Sequence, residues 1–189
     1  MHTKEDSRMA TTADSYGMAQ WQGKTALVTG ASNGIGAALA GRLLREGMNV
    51  VGCARRQNRV AEVLAAVDTS GQNSLAVECD VRDEKSVQKA FTDARERFGG
   101  VHVLINNAGL GHADSLADGK VDEWREMLDV NVLGLCICTR EALADMRSRG
   151  DRGHIIHIGS MAGQRVPAGA GLYAATKHAV RALTEALRI

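Results

Sequence analysis

The chain of 189 residues predicts an α/β fold, a doubly wound parallel sheet with helices on both faces. Three observations predict it. Short apolar runs alternate with amphipathic helical patterns. A glycine-rich turn joins the first apolar run to the first helical pattern. The composition is that of an ordinary globular chain, with 44% hydrophobic and 24% charged residues and a formal net charge of +1.

Residues 24–29 (KTALVT) read as a short buried strand, and residues 35–46 (IGAALAGRLLRE) as a helix that Gly47 ends. Residues 49–54 (NVVGCA) form a second strand, 59–67 a second helix and 74–79 (SLAVEC) a third strand. The stretch 83–98 opens on acids and runs into Gly99-Gly100, as a helix dipole and a glycine cap favour. A fourth strand follows at 101–106 (VHVLIN), one long helical region at 121–149, a fifth strand at 154–158 (HIIHI) and a last helix at 173–188. Strands alternating with helices imply crossover connections and a parallel sheet covered on both faces.

One domain is expected over 23–189, preceded by a polar, disordered leader over 1–22. The leader has no apolar run for a signal peptide, and Glu5, Asp6 and Asp14 argue against a transit peptide. No run of about 18 apolar residues predicts a membrane span. The near-neutral charge gives no reason to expect nucleic acid as a partner. Cys53, Cys79, Cys136 and Cys138 contain no CxxC pair and read as reduced thiols, which favours a cytoplasmic setting.

The turn TGASNGIG, residues 29–36, follows the first strand and opens the first helix. Gly30 permits a tight turn, Gly34 lets a ligand approach the backbone, and Gly36 lets helix and strand pack closely. Free N–H groups at a helix start favour a pyrophosphate, so the fold is read as Rossmann-type. The spacing G-xxx-G-x-G differs from G-x-G-x-x-G, so that template does not by itself certify the site. A P-loop is excluded, because Gly23-Lys24 has Met18 where the motif needs its first glycine.

In a dinucleotide fold a carboxylate about 20 residues beyond the glycines grips the ribose of NAD. Here the second strand ends in CARRQNR, 53–59, with Ala54 at the acid's place and Arg55 and Arg56 after it. Guanidinium groups pair with a 2′-phosphate, so NADP(H) is expected in preference to NAD(H); the alternative is that these arginines only solvate a loop. Asp80, past the third strand, is placed to meet an adenine edge. Tyr173 and Lys177 stand four apart in YAATK, on one face of the last helix.

TGASNGIG, CDV (79–81), NNAG (106–109), DVNVLG (129–134), HIGSMAG (157–163) and YAATK, in this order, resemble the short-chain dehydrogenase/reductase family over residues 24–189. The resemblance implies NADP-linked redox chemistry on ketones, aldehydes and alcohols, including steroid, prenyl or other hydrophobic substrates. It implies a catalytic set of Asn131, Ser160, Tyr173 and Lys177. Cofactor contacts are implied at Thr29, Gly30, Ser32, Asn33, Gly34, Ile35, Gly36, Arg55, Arg56, Asp80, Val81, Asn107, Ala108, Gly109, Tyr173 and Lys177. A free phenol ionises near pH ~10. A lysine one turn away makes it a usable acid near neutrality and can also hold the nicotinamide ribose. Ser160 would polarise a carbonyl, and Asn131 would hold a water that relays protons to Lys177.

No metal is expected: His154 and His157 point to opposite faces of a strand. His112 either borders the substrate or lies in an exposed loop, and His178 packs. Family members continue past the YAATK helix, so two further strands, a Pro-Gly segment and a substrate loop are expected beyond Ile189. Without them the sheet has an edge at its fifth strand. The family's members pair through the helices over 121–149 and 173–189. The competing readings are a nucleotide-binding chain without turnover and an interaction module.

Overall fold

The computed structural model describes residues 17–112, 115–150 and 152–188. Five strands form one parallel sheet: β1 (Thr25–Thr29), β2 (Asn49–Ala54), β3 (Ser74–Glu78), β4 (Val103–Asn106) and β5 (His154–His157), in the order β3-β2-β1-β4-β5. The helices are α1 (Gly34–Arg45), α2 (Gln57–Ala65), α3 (Glu84–Phe98), α4 (Val121–Leu128), α5 (Leu135–Ser148) and α6 (Gly171–Ala186). The chain order reverses direction at β1, so the loops leaving β1 and β4 diverge and open a crevice above the strand ends.

Alternate strand residues feed two core layers, as a period of two requires. Leu27, Val51, Cys53 and Leu104 pack with Val87, Phe91, Cys138 and Met146 of α3 and α5. Ala26, Val28, Val50, Val103 and Ile105 pack with Ala40, Val60 and Leu64 of α1 and α2. The boundaries of α3 follow from its sequence: the Asp83 side chain accepts from the Lys85 amide at 3.0 Å, and Gly99 ends the helix at φ 81°.

Two sequence expectations are refined. The long helical region expected over 121–149 is helical without a break and consists of α4 and α5 joined by a π-helical turn, Asp129–Gly134. Both flanking patterns are amphipathic at helical period, and an extra residue in one turn leaves no compositional mark. Residues 1–16 of the expected leader lie outside the described residues. Its last stretch is folded, because Met18–Trp21 forms a 3-10 turn and Trp21 packs on the α1–α2 side of the core. Among the described residues β5 pairs only with β4 and ends the sheet.

A polar chain ties β5 to the helices beside it. The Thr184 hydroxyl donates to the Val180 carbonyl at 2.7 Å, so its oxygen accepts from His157 Nδ1 at 3.0 Å. Nε2 of His157 then accepts from the Thr139 hydroxyl at 3.3 Å, and Thr139 accepts from Asn106 Nδ2 at 3.0 Å. Every donor points the same way only if the imidazole is neutral. Burial lowers the pKa of His157 below its ordinary value. The unfolded chain therefore binds more protons than the folded one as pH falls below about 6.5. Stability present above that pH is lost below it. Urea unfolding at about pH 7 and pH 5 should show a lower stability at the acid value, and His157→Gln should narrow that difference.

Candidate active site

A cleft of about 610 Å³ runs along the carboxyl ends of the strands. Its floor is set by two side chains. The buried Thr29 hydroxyl accepts from the amides of Asn107 and Ala108 at 3.1 and 3.0 Å. Asn107 Nδ2 donates to the carbonyls of Thr29 and Gly30 at 3.0 and 3.2 Å. The glycine turn and the loop after β4 are thus fastened to one another. Gly36 is obligatory there, since a Cβ would collide with the Asn107 side chain and the Gly30 carbonyl. Gly30 and Gly34 hold φ of 69° and 56°, conformations that favour glycine.

Most of the sequence-predicted residues line this cleft. Gly30, Ser32, Asn33, Gly34 and Ile35 form one wall at the start of α1, and Asp80, Val81, Asn107, Ala108 and Gly109 another. Arg55 and Arg56 stand at one end, and Arg56 Nη2 reaches Ser32 Oγ at 3.4 Å. Tyr173 and Lys177 stand at the opposite end, beyond β1 and β4, where Lys177 bonds the Ile158 carbonyl just past β5. Four predicted residues are not part of the lining. Thr29 and Gly36 are buried supports, Asn131 is 2% exposed, and Ser160 is half-buried one residue beyond the lining Gly159.

Lys177 is 7% exposed, and burial draws its ammonium pKa down. Its Nζ donates to the Ile158 carbonyl at 3.0 Å and lies 5.9 Å from the centre of the Tyr173 ring. Ser160 Oγ accepts from the Ala162 amide at 3.1 Å, capping the 3-10 turn Met161–Gly163. Its own O–H remains available to donate. Asn131, in the π-helical turn, donates from Nδ2 to the Leu110 carbonyl at 2.8 Å and accepts at Oδ1 from the Leu110 amide at 2.9 Å. Its amide therefore braces the loop after β4. Asp80 is gripped by the Arg82 side chain, with Arg82 Nη2 at 2.6 Å from Oδ2. Those bonds, with help from the charge of Arg55, hold its carboxyl below the usual carboxylate range.

The sequence reading missed Arg82, Gly111 and Thr176. Arg82 could have been found from its place two residues beyond Asp80. A Cβ on Gly111 would come 3.0 Å from the Tyr173 ring, a close approach that no sequence motif signals. His112 contacts Glu126 Oε2 through Nε2 at 3.0 Å, and His178 Nδ1 bonds the Ala174 carbonyl at 2.8 Å. Among the described residues no group of three or more His, Cys, Asp or Glu is placed to hold a metal ion, and no helix is long and apolar enough to cross a membrane.

The glycine turn, with free N–H groups at the start of α1 and no side chain over Gly34, fits the pyrophosphate of a dinucleotide. The cleft joins this cradle to an arginine pair at one end and to a phenol with an ammonium at the other. Residues 24–189 match the family profile described as short chain dehydrogenase. The chain is 48% identical over 176 residues to dehydrogenase/reductase SDR family member 11 of Bos taurus, covering 90% of this chain and 69% of that protein. It is 46% identical over 176 residues to farnesol dehydrogenase of Aedes aegypti, covering 90% and 71%. A short chain dehydrogenase/reductase from Burkholderia phymatum in complex with NAD superposes with a TM-score of 0.85 at 34% identity. The match covers 88% of this chain and 59% of that one. A serine dehydrogenase complexed with NADP+ superposes with a TM-score of 0.80 at 36% identity, covering 87% and 65%. A parallel five-stranded sheet, a glycine cradle between β1 and α1 and these matches agree, and the chain belongs to the short-chain dehydrogenase/reductase family.

Proposed function

We propose that this chain belongs to an NADP(H)-dependent oxidoreductase that interconverts a hydrophobic ketone or aldehyde and its alcohol. The observation that carries the reading is the opposed layout of one cleft, with Arg55 and Arg56 at one end and Tyr173 beside Lys177 at the other. The arginines and Ser32 would take a 2′-phosphate, and no carboxylate stands at the end of β2 to repel it. NADP(H), when bound, supplies or accepts the hydride.

The remaining chemistry belongs to the chain's own side chains. The Tyr173 hydroxyl would give a proton to the carbonyl oxygen or take one from the alcohol. The Lys177 ammonium would stabilise negative charge on the phenol oxygen as its proton leaves. Ser160, through its O–H, would hold the substrate oxygen. Asn131 would act by bracing Leu110 and the loop above Tyr173. Met161, Val166 and Leu116 are exposed at 63%, 64% and 70% and would meet an apolar substrate. Relatives named for farnesol and for a 3β-hydroxysteroid fit that class. The free cysteines fit a reducing compartment, and the cytoplasm is the proposed location. Pairing of two copies through α4, α5 and α6 is part of the same reading.

Titration with NADPH and NADH tests the cofactor. Arg55→Asp should weaken NADPH binding about tenfold or more while sparing NADH. An unchanged preference would overturn the assignment. Turnover of a hydrophobic ketone, followed by NADPH absorbance, tests the acid. Tyr173→Phe should lower kcat about 100-fold or more with NADPH binding retained, and wild-type turnover in that variant would remove Tyr173 from its role.

A further inference from the structure

Thr176 lies inside YAATK, between the two residues that face the cleft, and is 1% exposed. A hydroxyl so deeply buried needs partners, and it has two. Its O–H donates to the Tyr173 carbonyl at 2.7 Å, and its oxygen accepts from Asn131 Nδ2 at 3.1 Å. The direction of both bonds is fixed. A carbonyl only accepts, so the Thr176 proton is committed to Tyr173. The Leu110 amide only donates, so Asn131 Oδ1 must face it and Nδ2 must face the Leu110 carbonyl and Thr176. Both Nδ2 hydrogens are thereby used.

We infer that Thr176 is a positioning residue that keys α6 to Asn131, and so sets Tyr173 against the loop after β4. The chain of contacts is continuous. Leu110 is held by Asn131, Asn131 by Thr176, and Thr176 by the backbone of Tyr173. Gly111, next to Leu110, lies against the Tyr173 ring, so the tie and the ring contact close a loop. Gly109 sits between Asn131 and Lys177, where a Cβ would be 3.3 Å from Asn131 Oδ1 and 3.6 Å from Lys177 Nζ. Removal of the Thr176 hydroxyl leaves one Asn131 donor buried without an acceptor, and α6 then rests on the π-helical turn by packing alone. Small errors in the placement of a proton donor lower kcat more than they lower binding.

This inference rests on the oxidoreductase reading for its kinetic arm and on geometry alone for its other arm. The test compares wild type, Thr176→Val and Thr176→Ser. Hydrogen exchange at the Leu110 amide, which bonds Asn131 Oδ1, reports the tie without any turnover. Thr176→Val should lose protection at Leu110 while the amides of β1 and β2 keep theirs. It should lower kcat about tenfold, with KM for NADPH changed less than about twofold, and Thr176→Ser should restore both protection and kcat. Unchanged protection at Leu110 in Thr176→Val overturns the inference. So does lost protection with wild-type kcat, or a Thr176→Ser variant as impaired as Thr176→Val. If wild type binds NADPH but reduces no carbonyl, the enzyme reading fails. Protection at Leu110 then decides the tie by itself: its loss in Thr176→Val supports the keying role, and its retention refutes it.

Discussion

The cleft exists because β1 and β4 end side by side and are clamped there. The Thr29 hydroxyl and the Asn107 amide together make four hydrogen bonds between the glycine turn and the loop after β4. Each group is shielded, so each bond satisfies a polar atom that would otherwise be buried at a cost. The clamp fixes the height of the α1 start above the sheet, and with it the direction of the free N–H groups that can meet phosphate. It also sets where the chain leaves β4, and so where Gly109, Leu110 and Gly111 meet α6. A change at Thr29 or Asn107 would therefore move both ends of the site together.

Charge is distributed unevenly along this clamped cleft. At one end the arginines are exposed and free to reorganise around an anion, with Asp80 occupied by Arg82. At the other end a single ammonium is buried. Burial of Lys177 opposes its charge, and the Ile158 carbonyl offsets part of that penalty. A cation held in such a place retains little water, so its field on the neighbouring phenol is less screened than it would be in solvent. The tie through Asn131 and Thr176 holds α6, which carries both groups, against the loop after β4.

Much of this architecture was legible in the sequence. Strand β2 matches its expected range, β1 and β3 differ from theirs by one residue at one end, and α1 is shifted by one residue at both. The alternation of apolar runs and amphipathic helices is a strong periodic signal, and the glycine spacing reports directly on backbone conformations that other residues avoid. The cleft wall was readable for the same reason, since its residues sit at fixed offsets from the strand ends. What escaped was set by tertiary contact. The π-helical turn around Asn131 leaves the helical period intact on both sides. Thr176 looks like a small spacer in YAATK until a buried partner appears. The bonds of the Asn131 amide to Leu110 and Thr176 had no signal in the sequence either. Gly111 has no motif because its role is to be flat beneath an aromatic ring.

The central claim is that one cleft holds NADP(H) with its phosphate end at Arg55 and Arg56 and its nicotinamide beside Tyr173. The most direct test is a nuclear Overhauser measurement on the NADP+-bound protein. The sequence contains two tyrosines, Tyr16 and Tyr173, so the ring signal is assigned with one substitution. The account predicts cross-peaks between the nicotinamide ring protons and the Tyr173 ring. Cross-peaks from the adenine protons to Tyr173 instead, or none from either ring in a saturated complex, would contradict it.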